Sequence, residues 1–132
     1  MQPHIFMIET VNLTPQVMKT MDPEKLNEAL VASYIRTIPI SIDNIDDMMA
    51  AGRLLAMLTN DYSYLYGTLS TFKIWTKLAK ANESKEKYAE MVMRRDTLEA
   101  ITDILKQQYN AVSRLITTKQ EINNELKMTG GV

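Results

Sequence analysis

Residues 48–79 read MMAAGRLLAMLTNDYSYLYGTLSTFKIWTKLA, and the spacing within them decides the fold. Met48, Ala51, Leu55, Leu58, Tyr62, Leu65, Leu69, Phe72, Thr76 and Ala79 recur in alternating steps of three and four. On a helix with about 3.6 residues per turn, that places these side chains along one edge. Only Thr76 among them is polar. Such a seam is stable in water only when a second helix covers it.

The chain supplies that helix. Met91, Leu98, Ile101, Leu105, Val112, Leu115, Ile122 and Leu126 form a second seam, interrupted by Arg94, Gln108 and Lys119. Between the two lies Ala81-Asn82-Glu83-Ser84, where Asn82 or Ser84 can cap a new helix. No Gly or Pro marks this break, so one continuous rod is the alternative to a hairpin. The hairpin is favoured because each apolar stripe then covers the other. Thr129-Gly130-Gly131 is a stop signal at the C-terminal end.

All four prolines, Pro3, Pro15, Pro23 and Pro39, lie in the first 39 residues. That asymmetry predicts an irregular N-terminal third. Residues 1–20 read as an arm, with Ile5-Phe6-Met7-Ile8 able to add a strand to a neighbour. Asp22-Pro23-Glu24 is a helix start, with Asp22 as cap and Pro23 in the first turn. Pro39 holds Ile38-Pro39-Ile40-Ser41-Ile42 extended. Asp43 is the expected cap of the next helix, with Asp46 and Asp47 complementing its dipole. The expectation is an all-α fold: a long antiparallel helical hairpin, coiled-coil-like, with a short N-terminal helix and an extended N-terminal arm. The arm takes residues 1–21. A single helical domain takes 22–132, with helices at 22–36, 43–81 and 84–128.

Composition narrows the chemistry. The 132 residues include no Cys and one His, His4. Disulfide frameworks, thiolate chemistry and multi-His zinc sites are excluded, and a Ser-His-Asp triad has little to stand on. Four scattered glycines make no phosphate loop. Asp43, Asp46 and Asp47 lack the glycine and the bidentate glutamate of a calcium loop, and capping explains them better. The expectation is a non-enzyme without cofactor or metal. No secretory leader and no membrane-length apolar run is visible, so the cell interior is the expected compartment and no membrane partner is expected.

Charge is segregated. Lys plus Arg is 15 and Asp plus Glu is 16, a net charge of −1. Yet residues 73–95 carry Lys73, Lys77, Lys80, Lys85, Lys87, Arg94 and Arg95 against Glu83, Glu86 and Glu90. The positive charge therefore gathers at the expected turn. Trp75, the only Trp, lies within this stretch, with Tyr88 after it. Cations interleaved with aromatics suit a single-stranded nucleic acid, because lysines attract phosphates and aromatic faces stack on any base. The competing reading is a solvated helix end with its aromatics packed inside. Tyr62, Tyr64 and Tyr66 cannot all share one helix face, and Met48, Met49 and Met57 add adaptable apolar surface. A homo-oligomer is the natural expectation.

The segment from Asp96 to Leu126, with Leu98, Ile101, Leu105, Tyr109, Val112, Ser113-Arg114, Ile116, Lys119 and Ile122, resembles the C-terminal helix of phage recombination mediators of the UvsY type. Asp22-Pro23-Glu24-Lys25-Leu26 is similar to the opening of that family, and the basic, aromatic middle section is shared in kind. The resemblance covers about two thirds of the chain at the level of pattern. It implies a small helical oligomer in the host-cell cytoplasm that binds single-stranded DNA and helps load a recombinase. Phosphate contacts would fall to Lys73, Lys77, Lys80, Lys85, Lys87, Arg94 and Arg95, and base stacking to Trp75 and Tyr88. Arg114 would support packing or assembly. The alternative expectation is a small phage virion or assembly protein whose N-terminal arm wraps a neighbouring subunit. A helix docked on another phage or host protein is a third.

Overall fold

A computed structural model describes residues 12–128 of the chain. Four helices follow one another: α1 (Pro15–Thr20), α2 (Pro23–Tyr34), α3 (Ile45–Asn82) and α4 (Lys85–Met128). α3 and α4 pack against each other as an antiparallel hairpin, the expected all-α architecture. At 1.5 Å per residue they span about 57 and 66 Å.

The hairpin turn needs no glycine. Glu83 ends α3 in an extended conformation (φ −116°, ψ 170°), which any residue adopts, and its N–H donates to the Ala79 carbonyl at 2.9 Å. Ser84 then starts α4, its Oγ accepting from the Lys87 N–H at 3.2 Å. At the other end of α3 the cap is Asn44 rather than Asp43. Asn44 Oδ1 accepts from the Asp47 N–H at 2.9 Å, and the Asp47 carboxylate accepts in return from the Asp43 N–H at 3.0 Å. The exchange satisfies one orphan donor of the helix start, the Asp47 N–H, and ties down the residue before the cap.

The α3 seam lies where its spacing puts it. Ala51, Leu58, Leu65, Leu69, Phe72, Thr76 and Ala79 are buried, and Met48, Leu55 and Tyr62 are half-buried against them. Across the interface sit Met91, Leu98, Ile101, Leu105 and Val112. The threonines buried here return their hydroxyl protons to the helix: Thr76 Oγ1 to the Phe72 carbonyl at 2.6 Å, Thr102 Oγ1 to that of Leu98 at 2.7 Å. Each is thereby satisfied without a partner across the interface.

α2 lies along α4 on one side of the hairpin, burying Leu26 and Leu30. Asp22 caps it as expected, accepting from the N–H groups of Glu24 and Lys25 at 3.2 and 3.4 Å. The polar interruptions of the α4 seam hold this layer. Arg94 Nε donates to the Met21 carbonyl at 2.8 Å, where α1 passes into α2. Gln108 grips Arg36 just beyond α2: its Nε2 donates to the Arg36 carbonyl at 2.7 Å and its Oε1 accepts from the Arg36 N–H at 3.3 Å. Arg36 in turn pairs with Asp61 of α3 at 2.7 Å. The segment from Ile35 to Asn44 is non-helical, as Pro39 dictates, and buries Ile42 while leaving Ile40 in solvent.

One expectation is corrected. Residues 12–20 do not extend away from the body as an arm. Thr14 caps α1 through Val17 N–H at 3.2 Å, Pro15 fits the first turn, and the helix folds back so that Met18 and Leu13 are buried. Tyr64 Oη donates to the Leu13 carbonyl at 2.6 Å and fastens the start of this segment to α3. The proposed strand Ile5–Ile8, His4 and the glycines after Met128 lie outside the described residues.

Candidate nucleic-acid interface

The hairpin has two sides, and α1 and α2 occupy only one. Trp75, Asp61, Arg94 and Gln108 face that side, each touching the N-terminal layer. On α3 the opposite flank runs through Tyr62, Tyr66, Ser70, Lys73, Lys77 and Lys80, in steps of four, four, three, four and three. On α4 it runs through Tyr88, Arg95, Lys106 and Tyr109, whose spacings of seven, eleven and three again keep one face. Tyr62 and Tyr109 line the same surface groove, together with Lys106, so the two stripes look outward on the same side.

Of the positions read from sequence, Lys73, Lys77, Lys80, Lys85 and Lys87 are exposed at or near the turn. Arg95 and Tyr88 are half-buried. The structure does not bring Trp75 to the lysines. It is two residues from both Lys73 and Lys77, hence about 200° around the helix from each. Its ring packs edge-on against Phe72, centroids 5.1 Å apart, and the Lys19 amine sits 4.4 Å above it. That cation covers ring area a base would need. Arg94 is also withdrawn: only 8% exposed, it holds the Met21 carbonyl and lies 3.7 Å from Glu90. A guanidinium committed to a backbone carbonyl inside the fold is a packing device, not a phosphate contact.

Ion pairing divides the cations further. On the side of the N-terminal layer Arg36 pairs with Asp61 and Arg94 with Glu90. Beside the turn, Lys87 reaches Glu83 at 3.9 Å, a loose and exposed pair. On the open flank, Arg95 pairs with its neighbour Asp96 at 3.0 Å. Lys73, Lys77, Lys80 and Lys106 form no ion pair among the described residues, and Glu99 and Asp103 are the carboxylates whose spacing places them in the α4 stripe. The side free of helices thus keeps its positive charge.

Of the tyrosines of this flank, Tyr88 was read from the sequence as part of the site, and Tyr62, Tyr66 and Tyr109 were not. Tyr62 and Tyr66 stack with centroids 5.8 Å apart and planes 28° from parallel, and Tyr66 is 56% exposed. Their four-residue spacing from one another, and their register with Lys73, were the available signals. Tyr34 belongs to the other side. Burial raises its pKa above the ordinary value, and the nearby Tyr64 and Asp61 push in the same direction. Among the described residues no cluster of three or more His, Cys, Asp or Glu could hold a metal ion, and no helix is long and apolar enough to cross a membrane. No family model, no curated protein and no solved structure matches this chain.

Proposed function

We propose that this protein is a non-enzymatic, oligomeric accessory of phage DNA recombination that binds single-stranded DNA. The flank carrying Lys73, Lys77, Lys80 and Arg95 is the binding surface, with Lys85 and Lys87 beside it at the turn. The single observation that carries this reading is the sorting of charge. Carboxylates pair the arginines beneath α1 and α2, while the lysines of the free flank are left without such partners. An unneutralised row of lysines spaced along about 11 Å of helix suits a phosphate backbone, whose charges repeat along its length. The recombination role is taken from the resemblance of the 96–126 segment to the UvsY-type mediators. The test is fluorescence anisotropy of a labelled single-stranded oligonucleotide with the Lys73→Glu, Lys77→Glu, Lys80→Glu triple variant. Binding should be abolished while circular dichroism is unchanged. Unaltered binding would refute the reading.

A specific observation favours a second reading, in assembly. Away from the turn, Ile40, Ile45, Leu126 and Met128 are exposed, the first by 94%. Ile122 and Leu126 continue the α4 seam beyond the last buried position, Val112. An apolar stripe of this kind fits contact with a neighbouring subunit. Loss of particle or oligomer formation on Ile122→Glu with Leu126→Glu, with DNA binding retained, would support an assembly role.

A further inference from the structure

We infer that the groove between Tyr62 of α3 and Tyr109 of α4, with Lys106 at its edge, is a base-stacking subsite for single-stranded nucleic acid. The inference rests on the proposed DNA-binding reading and deepens it, because it extends the site away from the turn and adds aromatic groups to it. The groove is also lined by Thr59, Ser63 and Asn110. It therefore offers apolar ring faces with small polar groups around them.

Three observations converge on a nucleobase. The first is position. Tyr62 and Tyr66 stand in the same stripe as Lys73, Lys77 and Lys80, and eleven residues of helix separate Tyr62 from Lys73. That is about 16 Å, a few nucleotides of an extended strand, so one strand can lie on the lysines and reach the groove. The second is the state of the rings. Tyr62 and Tyr109 are half-buried, anchored against the core, and Tyr66 leans over Tyr62. Anchored rings lose little freedom when a base stacks on them. The third is hydrogen bonding. Tyr64, on the other side of α3, gives its hydroxyl proton to the Leu13 carbonyl. The hydroxyls of Tyr62, Tyr66 and Tyr109 have no protein partner among the described residues, and stay open to base edges.

The charge of the face selects the occupant. Lys106 at the edge and Lys73, Lys77 and Lys80 along the stripe outnumber the two stripe carboxylates, Glu99 and Asp103, and complement a polyanion. A second copy presenting this same face would set cation against cation. A duplex has its bases already stacked on one another, so the rings gain contact area only from a single strand.

The test uses the full chain and two fluorescein-labelled strands of about 15 units, one oligothymidine and one abasic, which isolates stacking from phosphate contact. The wild-type protein should bind the thymidine strand about tenfold more tightly than the abasic one. Tyr62→Leu with Tyr109→Leu, which keeps apolar bulk in the groove, should erase that preference and leave abasic binding unchanged. Equal wild-type affinity for both strands would overturn the inference while sparing the DNA-binding reading. No binding of either strand would overturn both. Equal loss on both strands, together with dissociation in analytical ultracentrifugation, would make the groove an interface between copies and overturn the inference. Should the double variant misfold, photo-crosslinking of a 5-iodouracil strand to the wild-type protein decides. Adducts on Tyr62, Tyr66 or Tyr109 uphold the subsite, and adducts only elsewhere overturn it.

Discussion

Arg94→Met separates a residue that holds the fold from one that holds DNA. The guanidinium is almost wholly inside the protein, and its Nε–Met21 carbonyl bond at 2.8 Å joins α4 to the junction of α1 and α2. Methionine keeps most of the aliphatic volume but removes the donor. Hydrogen bonds from charged groups contribute about 1.5–3 kcal/mol, and the carbonyl left behind loses its partner. The pair with Glu90 adds little: the oxygen is 3.7 Å away and 56% of the Glu90 side-chain surface is already in water beside Arg94. The expected loss is therefore about 2 kcal/mol of unfolding free energy, or roughly 8 °C in Tm for a chain of this size. Urea unfolding followed by Trp75 fluorescence is the direct assay, because Trp75 packs under Lys19 of the same N-terminal layer. At a temperature where the variant is folded, its affinity for single-stranded DNA should match the wild type and fall equally with salt. Full stability with weakened DNA binding would refute the reasoning, since it would return Arg94 to the surface as a phosphate contact.

Phe72→Ala should cost about 3–5 kcal/mol in urea unfolding, as a fully buried aromatic ring in a core too thin to collapse around the gap. Gly52→Ala and Gly67→Ala should each stabilise by about 0.5–1 kcal/mol, because both lie inside α3 and an added Cβ meets open space. Unfolding midpoints measured for each single variant check this. Tyr34 provides a pH signature. Its folded-state pKa is raised, so its contribution to stability is complete below the unfolded value of about 10 and is lost as pH rises through the folded value. The urea midpoint should fall across that alkaline range in the wild type, and fall less in Tyr34→Phe.

The hairpin was legible because its signal is long. Ten seam positions from Met48 to Ala79 repeat one register, and each is buried or half-buried. The breaks in the second seam were legible only as blemishes. Arg94 and Gln108 are polar at seam positions because each grips backbone of the N-terminal segment, and that partner is more than seventy residues away in sequence. Helix α1 escaped notice for the same reason: six residues carry no period, and Met18 is buried by tertiary packing rather than by pattern. The candidate site was partly legible. Lys73, Lys77 and Lys80 stand out at spacings of four and three, which survive folding. Trp75 lies beside them in sequence, yet an offset of two residues turns it to the far side of the helix. Tyr62 and Tyr66 do share the lysine face, and the step of seven from Tyr66 to Lys73 was in the chain throughout.

The account's central claim is that the basic flank of Lys73, Lys77, Lys80, Lys106 and Arg95 binds the phosphates of a single strand. Salt dependence of binding tests it most directly, because each phosphate neutralised adds about 0.7 to the slope of log K against log salt on single strands. Lys73, Lys77, Lys80, Arg95 and Lys106 together predict a slope near −3.5, so affinity should fall about a hundredfold from roughly 50 to 200 mM salt. Replacing Lys73, Lys77 and Lys80 by Gln should bring the slope to about −1.4 and that fall to about sevenfold. A wild-type slope near zero, or an unchanged slope in the triple Gln variant, would contradict the claim.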